Sequence, residues 1–400
     1  MKRRVLTLLS LTAVLTLSLN SCTIEVNDGL GDTVVTNPEP TTTVLTGVVS
    51  KDTVFKKGNY TLKGIVKVMN GATLTIEAGA NFTVDSSVPS GLVVLQDGKI
   101  NAVGTAAEPI VFTTLTKTPG DWGGITLYGN APIKAVNGNT SAFSEDGNNI
   151  KYGGTDAASN SGVMKFVRVE YAGKKIGDGT SETNSMTFYS VGSGTVLENL
   201  VTYKGTDDGY EFFGGTVSAK NIVSYGNYDD SFDWQDAWSG QDNTNWYAYQ
   251  TGTGNFGMEI EASGNADNVA PKVSNITLIR NAGTSPESAN SPEITAIQFK
   301  KHGTGIFSNV YISGYKNTGG QQAYAVLIQD AATETSQVNA GKISVAPLNY
   351  LNSDNAGVWG YAFTPNGAKT FTNATTVTKV SLTPGAWATV DGVNLLAGLQ

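Results

Sequence analysis

The chain has 400 residues, with 34 Asp and Glu against 26 Lys and Arg, a net charge of −8. That balance argues against nucleic acid or an anionic membrane surface as a partner. After Arg4 the only arginines are Arg168 and Arg280, so there is no basic patch to hold phosphates. With 47 glycines and only 15% charged residues, the composition suits a turn-dense all-β protein. One cysteine and one histidine exclude disulfides, Cys- or His-ligated metal centres and Ser-His triads.

Lys2, Arg3 and Arg4 precede an apolar, hydroxyl-bearing run from Val5 to Leu19. The run is too short for a comfortable membrane span and has the form of a cleaved signal, residues 1–21. It ends in Leu19-Asn20-Ser21-Cys22, which resembles the lipobox of bacterial lipoproteins and implies lipidation of Cys22. Residues 22–43 hold Pro38, Glu39 and Pro40 among Thr, Asn and Gly, a composition that buries no core and predicts a flexible tether. Its acidic residues Glu25, Asp28 and Asp32 resemble the surface-export signal of Bacteroidota-type lipoproteins. The implied address is the outer membrane at the cell surface, with the lipid as the sole membrane contact and the periplasmic face as the alternative.

From residue 44 to 330 the chain reads as stacked coils. Gly71 to Gly79 alternates Leu74 and Ile76 inward against Thr73, Thr75 and Glu77 outward. Leu92 to Leu95, Pro109 to Thr113 and Gly120 to Tyr128 are further short strands, and Lys134 to Gly162 reads as a long polar loop thrown out from a corner. The pattern is plainest where it is written twice. Asn199-Leu200-Val201-Thr202-Tyr203 returns 22 residues later as Asn221-Ile222-Val223-Ser224-Tyr225. Asp207-Asp208 then returns as Asp229-Asp230, and Tyr210-Glu211-Phe212 as Phe232-Asp233-Trp234. A short repeat of strand formers punctuated by Gly and Asp predicts an all-β, right-handed parallel β-helix. Its three-sided coils hold about 22 residues or more.

Two strand forms recur. One, Asn followed by alternating apolar residues, begins at Asn199, Asn221, Asn275 and Asn309, with Phe166 in the same place. Asn at one corner of each coil can stack its amides and bond the turn backbone, and resembles the asparagine ladder of pectate-lyase-like β-helices. The other form puts Met, Tyr, Phe and Ile inside and leaves Thr187, Glu211, Asp233, Glu259, Gln298 and Ala325 as an outward column. Past residue 330 the rhythm fades. Residues 331–400, with candidate strands at Gly341 to Val345 and Thr376 to Val380, are expected to cap the solenoid end.

The paired Asp turns and the column place six carboxylates on two adjacent coils, about 4.8 Å apart. Like charges so close need solvent, protons or a cation. Oxygen-only ligands in turns suit Ca²⁺, with Asp207, Asp208, Asp229 and Asp230 as the candidate metal ligands. The plain alternative is that each Asp merely bonds its turn's amides. Glu211, Asp233 and Glu259 are the candidate catalytic groups if the protein is an enzyme, since a glycosidase needs two carboxylates about 5–9.5 Å apart. Tyr203, Tyr225 and Trp238 are candidates to stack on sugar faces. His302, in Lys300-Lys301-His302-Gly303, reads as a turn residue.

Asp207 to Val217, then Asp229 to Asp233 and Trp238-Ser239-Gly240, resemble the right-handed β-helix surface lipoproteins of Bacteroidota. The resemblance supports the fold and supplies no activity. The expectation is a monomeric cell-envelope lipoprotein that binds glycan or another extracellular ligand on an acidic-aromatic face. A polysaccharide lyase or glycoside hydrolase using the same carboxylates, and a spacer with no ligand, are the alternatives.

Overall fold

The computed structural model describes residues 43–173, 183–287, 294–318, 321–354 and 373–400. The signal, Cys22 and nearly all of the tether lie outside them. One continuous sheet system of 23 strands, with parallel pairings throughout, winds from Val44 to Asn352 as a right-handed parallel β-helix. Each repeated coil carries a short strand, such as Tyr210–Phe213, and a longer bent one, such as Ser218–Tyr225. The duplicated pattern stacks in register, Glu211 on Asp233 and Leu200 on Ile222.

The bend of the longer strand has a local cause. Asn199, Asn221, Asn275 and Asn309 all adopt left-handed φ between 53° and 58°, as does Phe166 at 50°. Asn tolerates that conformation better than other residues with a Cβ. Asn245 (φ 58°) fills the missing rung, which sequence reading passed over. Its Nδ2 donates to Asn221 Oδ1 at 2.8 Å, and Asn275 Nδ2 donates to Asn245 Oδ1 at 3.0 Å. Replacing Asn245 with Ala is expected to cost roughly 2–3 kcal/mol, about 1 for each ladder bond plus the left-handed penalty. N245G should recover the backbone part. Urea midpoints measure both, and equal losses would rule out the backbone cause.

Inward residues form one core along the axis, with ring stacks such as Phe82 on Phe112 at 4.8 Å and Phe188 on Phe212 at 4.9 Å. Leu74 and Ile76 point inward as expected. The 134–162 excursion is more ordered than a plain loop. It pairs Ala142–Phe143 with Lys151–Tyr152 antiparallel and folds back on the solenoid. There the Tyr152 hydroxyl donates to Asp236 Oδ2 at 2.5 Å, and the Tyr128 hydroxyl to Asp146 Oδ2 at 2.8 Å.

The C-terminal residues depart from a simple cap. Ile343–Val345 and Leu348–Asn352 pair with Gly305–Ser313 and extend the coil, after helical turns at Ala331–Thr333 and Glu334–Val338. Thr376 to Val380 is not a strand. Beyond it the chain runs back along the side of the solenoid. Val380 N–H donates to Thr277 Oγ1 at 2.8 Å, Trp387 N–H to Ala106 O at 3.2 Å, and Lys117 pairs with Asp391 at 2.6 Å. The reason lies in the outward column Val201, Val223 and Tyr247 beside Tyr203, Tyr225 and Tyr249. That face is apolar on its outer side. Trp387, Leu395 and Leu396 cover it, each contributing about 2 kcal/mol of burial.

Candidate functional site

The short-strand sheet carries the acidic column on its outer side. Thr187, Glu211, Asp233, Glu259 and Gln298 stand in register on successive strands. The next position is Leu327, not Ala325, because the strand Ala323–Ile328 pairs two residues further along than its sequence pattern implies. The paired-aspartate turns lead into these strands. Gly209 makes the first turn possible, since a Cβ there would lie 2.5 Å from Ser224 Oγ and 2.7 Å from Ser231 O.

Together these elements form a cleft of about 350 Å³ lined by nine carboxylates and two lysines. Asp207, Asp208, Asp229, Asp230, Glu211, Asp233 and Glu259, all expected from the sequence, line it with Glu145 and Glu261. The oxygens fall into overlapping triads: Asp207–Asp208–Asp229, Asp208–Glu211–Asp233 and Asp230–Asp233–Glu259. Within each triad the ligand atoms lie within 4.8 Å of one another.

Part of this set serves the scaffold. Asp208 Oδ1 accepts Asp230 N–H at 2.9 Å, and Asp230 Oδ1 accepts Phe256 N–H at 2.6 Å, each bond tying one coil to the next. Asn255 Nδ2 donates to Asp229 Oδ1 at 2.9 Å. Glu211 accepts from the amides of Asn184 and Gln235. Asp233 is different. It is 9% exposed, and its Oδ1 is buried without a hydrogen-bond partner among the described residues.

Burial pushes the carboxyl groups of Asp208, Glu211, Asp230 and Asp233 well above the ordinary carboxylate range. Neighbouring charges add to it: Asp230 on Asp208, Asp233 on Glu211, Asp229 on Asp230, and Glu259 on Asp233. Burial raises Glu259 as well, against the pull of Lys300. For Lys300, burial alone would lower the pKa. Glu259 and Asp233 outweigh it and hold the ammonium above the usual lysine range.

Lys300 and Lys301 were missed in the sequence. Lys300 lies two residues past Gln298, so period-two alternation already assigned it to the cleft face. Its Nζ is 2.5 Å from Glu259, and Lys301 Nζ is 2.6 Å from Glu261. Lys204 lies over the Tyr203 ring and does not line the cleft. Arg168 binds Glu170 and the Ala386 carbonyl, and Arg280 braces the turn around Gly254. His302 Nδ1 meets Ser336 Oγ at 2.6 Å and does not line the cleft.

The expected sugar-stacking aromatics are elsewhere. Trp238 is 1% exposed and stacks on Phe212 inside the core at 4.6 Å, its indole N–H donating to the Val217 carbonyl. Tyr203 is buried and Tyr225 half-buried, stacked 5.7 Å apart on the face covered by the C-terminal segment. Tyr203, Tyr225 and Trp238 therefore do not share a surface with the acidic cleft, and Tyr189, which does line it, is buried. Tyr228, next to Asp229 in the chain, is 39% exposed.

The chain matches the pectate-lyase-like β-helix domain family over residues 47–389. No curated protein matches it. Among solved structures it is similar to the Dettilon tailspike protein, at 9% identity and a TM-score of 0.25. That alignment covers 75% of this chain and 62% of the tailspike chain, so less than two thirds of the tailspike's length is spanned.

Proposed function

This chain belongs to the pectate-lyase-like β-helix family, and from that premise we propose that it binds glycan at the acidic cleft through a divalent cation. The carrying observation is the Asp208–Glu211–Asp233 triad together with Asp233 Oδ1, buried with no hydrogen-bond partner among the described residues. Oxygens bound to one Ca²⁺ at about 2.3–2.6 Å lie at most about 5 Å apart, and the triad meets that limit. The donor set is all oxygen, which suits a hard cation. Asp208, Glu211 and Asp233 would hold it, with Asp207 and Asp229 in the neighbouring triad that shares Asp208. A bound ion offers its remaining coordination positions to sugar hydroxyl or uronate oxygens, and it offsets the repulsion that the bare carboxylates would exert on a uronate. Lipidation at Cys22 would present the cleft from the outer membrane.

The second reading is hydrolysis. Glu211, its carboxyl pushed up by burial and by Asp233, stands in register with Asp233, which is the composition of a general acid with a carboxylate partner. Lyase chemistry has less support. Its base must be unprotonated, whereas Lys300, held by Glu259, stays charged.

Retention and turnover are to be measured separately on a panel of neutral and uronate-bearing glycans with calcium present. Retention without product release is the expected result. Product release that vanishes in E211Q would replace binding by hydrolysis, and retention of no glycan would overturn both.

A further inference from the structure

We propose that Lys300 is a tethered counter-ion that restricts the carboxylate column to one divalent cation, held at the Asp208–Glu211–Asp233 end. This rests on the cation reading above and goes beyond it in assigning the number of ions and what sets it.

The column has room for more than one ion. The Asp230–Asp233–Glu259 triad meets the same 4.8 Å limit as the Asp208–Glu211–Asp233 triad, and the two share Asp233. What distinguishes them is already in place. Lys300 Nζ lies 2.5 Å from Glu259 Oε2 and 3.6 Å from Glu261 Oε2, with its side chain only 17% exposed. Lys301 pairs with Glu261 from the solvent side. The position of Lys300 is fixed by the sheet, because its N–H donates to the Ile260 carbonyl at 2.9 Å, beside Glu261.

An ammonium supplies one positive charge and three donors where a second ion would sit. Removing it would leave Glu259 and Glu261 facing Asp230 and Asp233 with only Lys301 for compensation, and oxygens at calcium-binding separations. At the other end no lysine approaches Asp208, Glu211 or Asp233 closely enough to form an ion pair among the described residues. Asp233, which the two triads share, has its Oδ1 buried with no hydrogen-bond partner among the described residues. The column is thus neutralised from within at one end and open to a mobile cation at the other.

Calcium chloride titrated into chelator-stripped protein, followed by calorimetry and native mass spectrometry, tests this. Wild type and K300R are expected to bind one ion per chain, K300M two, and the K300M/E259Q double variant one again. If K300M folds only with calcium, its refolding should depend on calcium with a slope near two. One ion in K300M, a refolding slope near one, or no refolding with calcium would overturn the inference and leave the cation reading standing. No ion in wild type would overturn both.

Discussion

The E211Q/D233N double variant is expected to melt higher than wild type in chelator and to lose the rise in melting temperature that calcium produces in wild type. Glu211 and Asp233 are register partners on adjacent strands, with Asp208 completing the triad. Two ionised groups about 5 Å apart at an effective dielectric constant near 20 repel by about 3 kcal/mol. Amides of the same shape remove that repulsion and the burial cost of the charges. The substitutions do lose something, since Glu211 accepts from both Asn184 and Gln235, and a glutamine offers only one acceptor. Reorienting either partner amide limits that loss to about 1 kcal/mol. Calcium acts in the opposite direction, stabilising wild type by about 2.7 kcal/mol at a hundredfold excess over its dissociation constant. Scanning calorimetry with and without calcium reads both effects. An undiminished calcium response in the variant would place the ion elsewhere.

The second large effect concerns pH. In chelator, the protein should become more stable on acidification from about pH 8 to about pH 5, the reverse of ordinary acid denaturation. The folded-state pKa values of Asp208, Glu211, Asp230 and Asp233 are raised above their unfolded values. The folded state therefore binds more protons than the unfolded state between the two, and stability falls as pH rises through the folded values. It is fully present only below the unfolded carboxylate values, about pH 4. Carboxylates shifted the other way, Asp85 to about 2 and Asp267 and Asp354 downward, lie at the surface. Their contribution is lost only as pH falls below the ordinary carboxylate range, outside this window. Melting temperatures across pH 5–8 should slope downward in chelator, with a shallower slope in calcium, which replaces the protons. A profile rising toward pH 8 in chelator would contradict buried, mutually repelling carboxylates.

Much of this was legible in local pattern. The 22-residue duplication and period-two alternation place Glu211, Asp233 and Glu259 in one column, because inter-strand register transmits a sequence repeat directly into space. What failed was non-local. Trp238 reads as an exposed aromatic beside Asp236, yet the chain turns it into the core against Phe212. Tyr203 and Tyr225 do face outward, but the segment around Leu395 covers them. A contact between residues nearly two hundred positions apart leaves no periodic trace. The Ala325 error has another cause: Ala323 to Val326 and Ala325 to Ile328 both fit the recurring strand form, and alternation alone cannot choose between two frames two residues apart. Lys300 follows from the alternation, two residues past Gln298, but its partners Glu259 and Glu261 lie on the coil before it, about forty residues earlier in the chain.

The family match fixes the solenoid, while the chemistry rests on whether the carboxylate cleft holds its ligand through a cation. Calorimetric titration of a uronate oligosaccharide into the protein, in calcium and again in chelator, addresses that directly. Saturable binding in calcium, absent in chelator and absent from E211Q/D233N, is the predicted result. Equal binding in chelator, or binding that survives the double substitution, would contradict it.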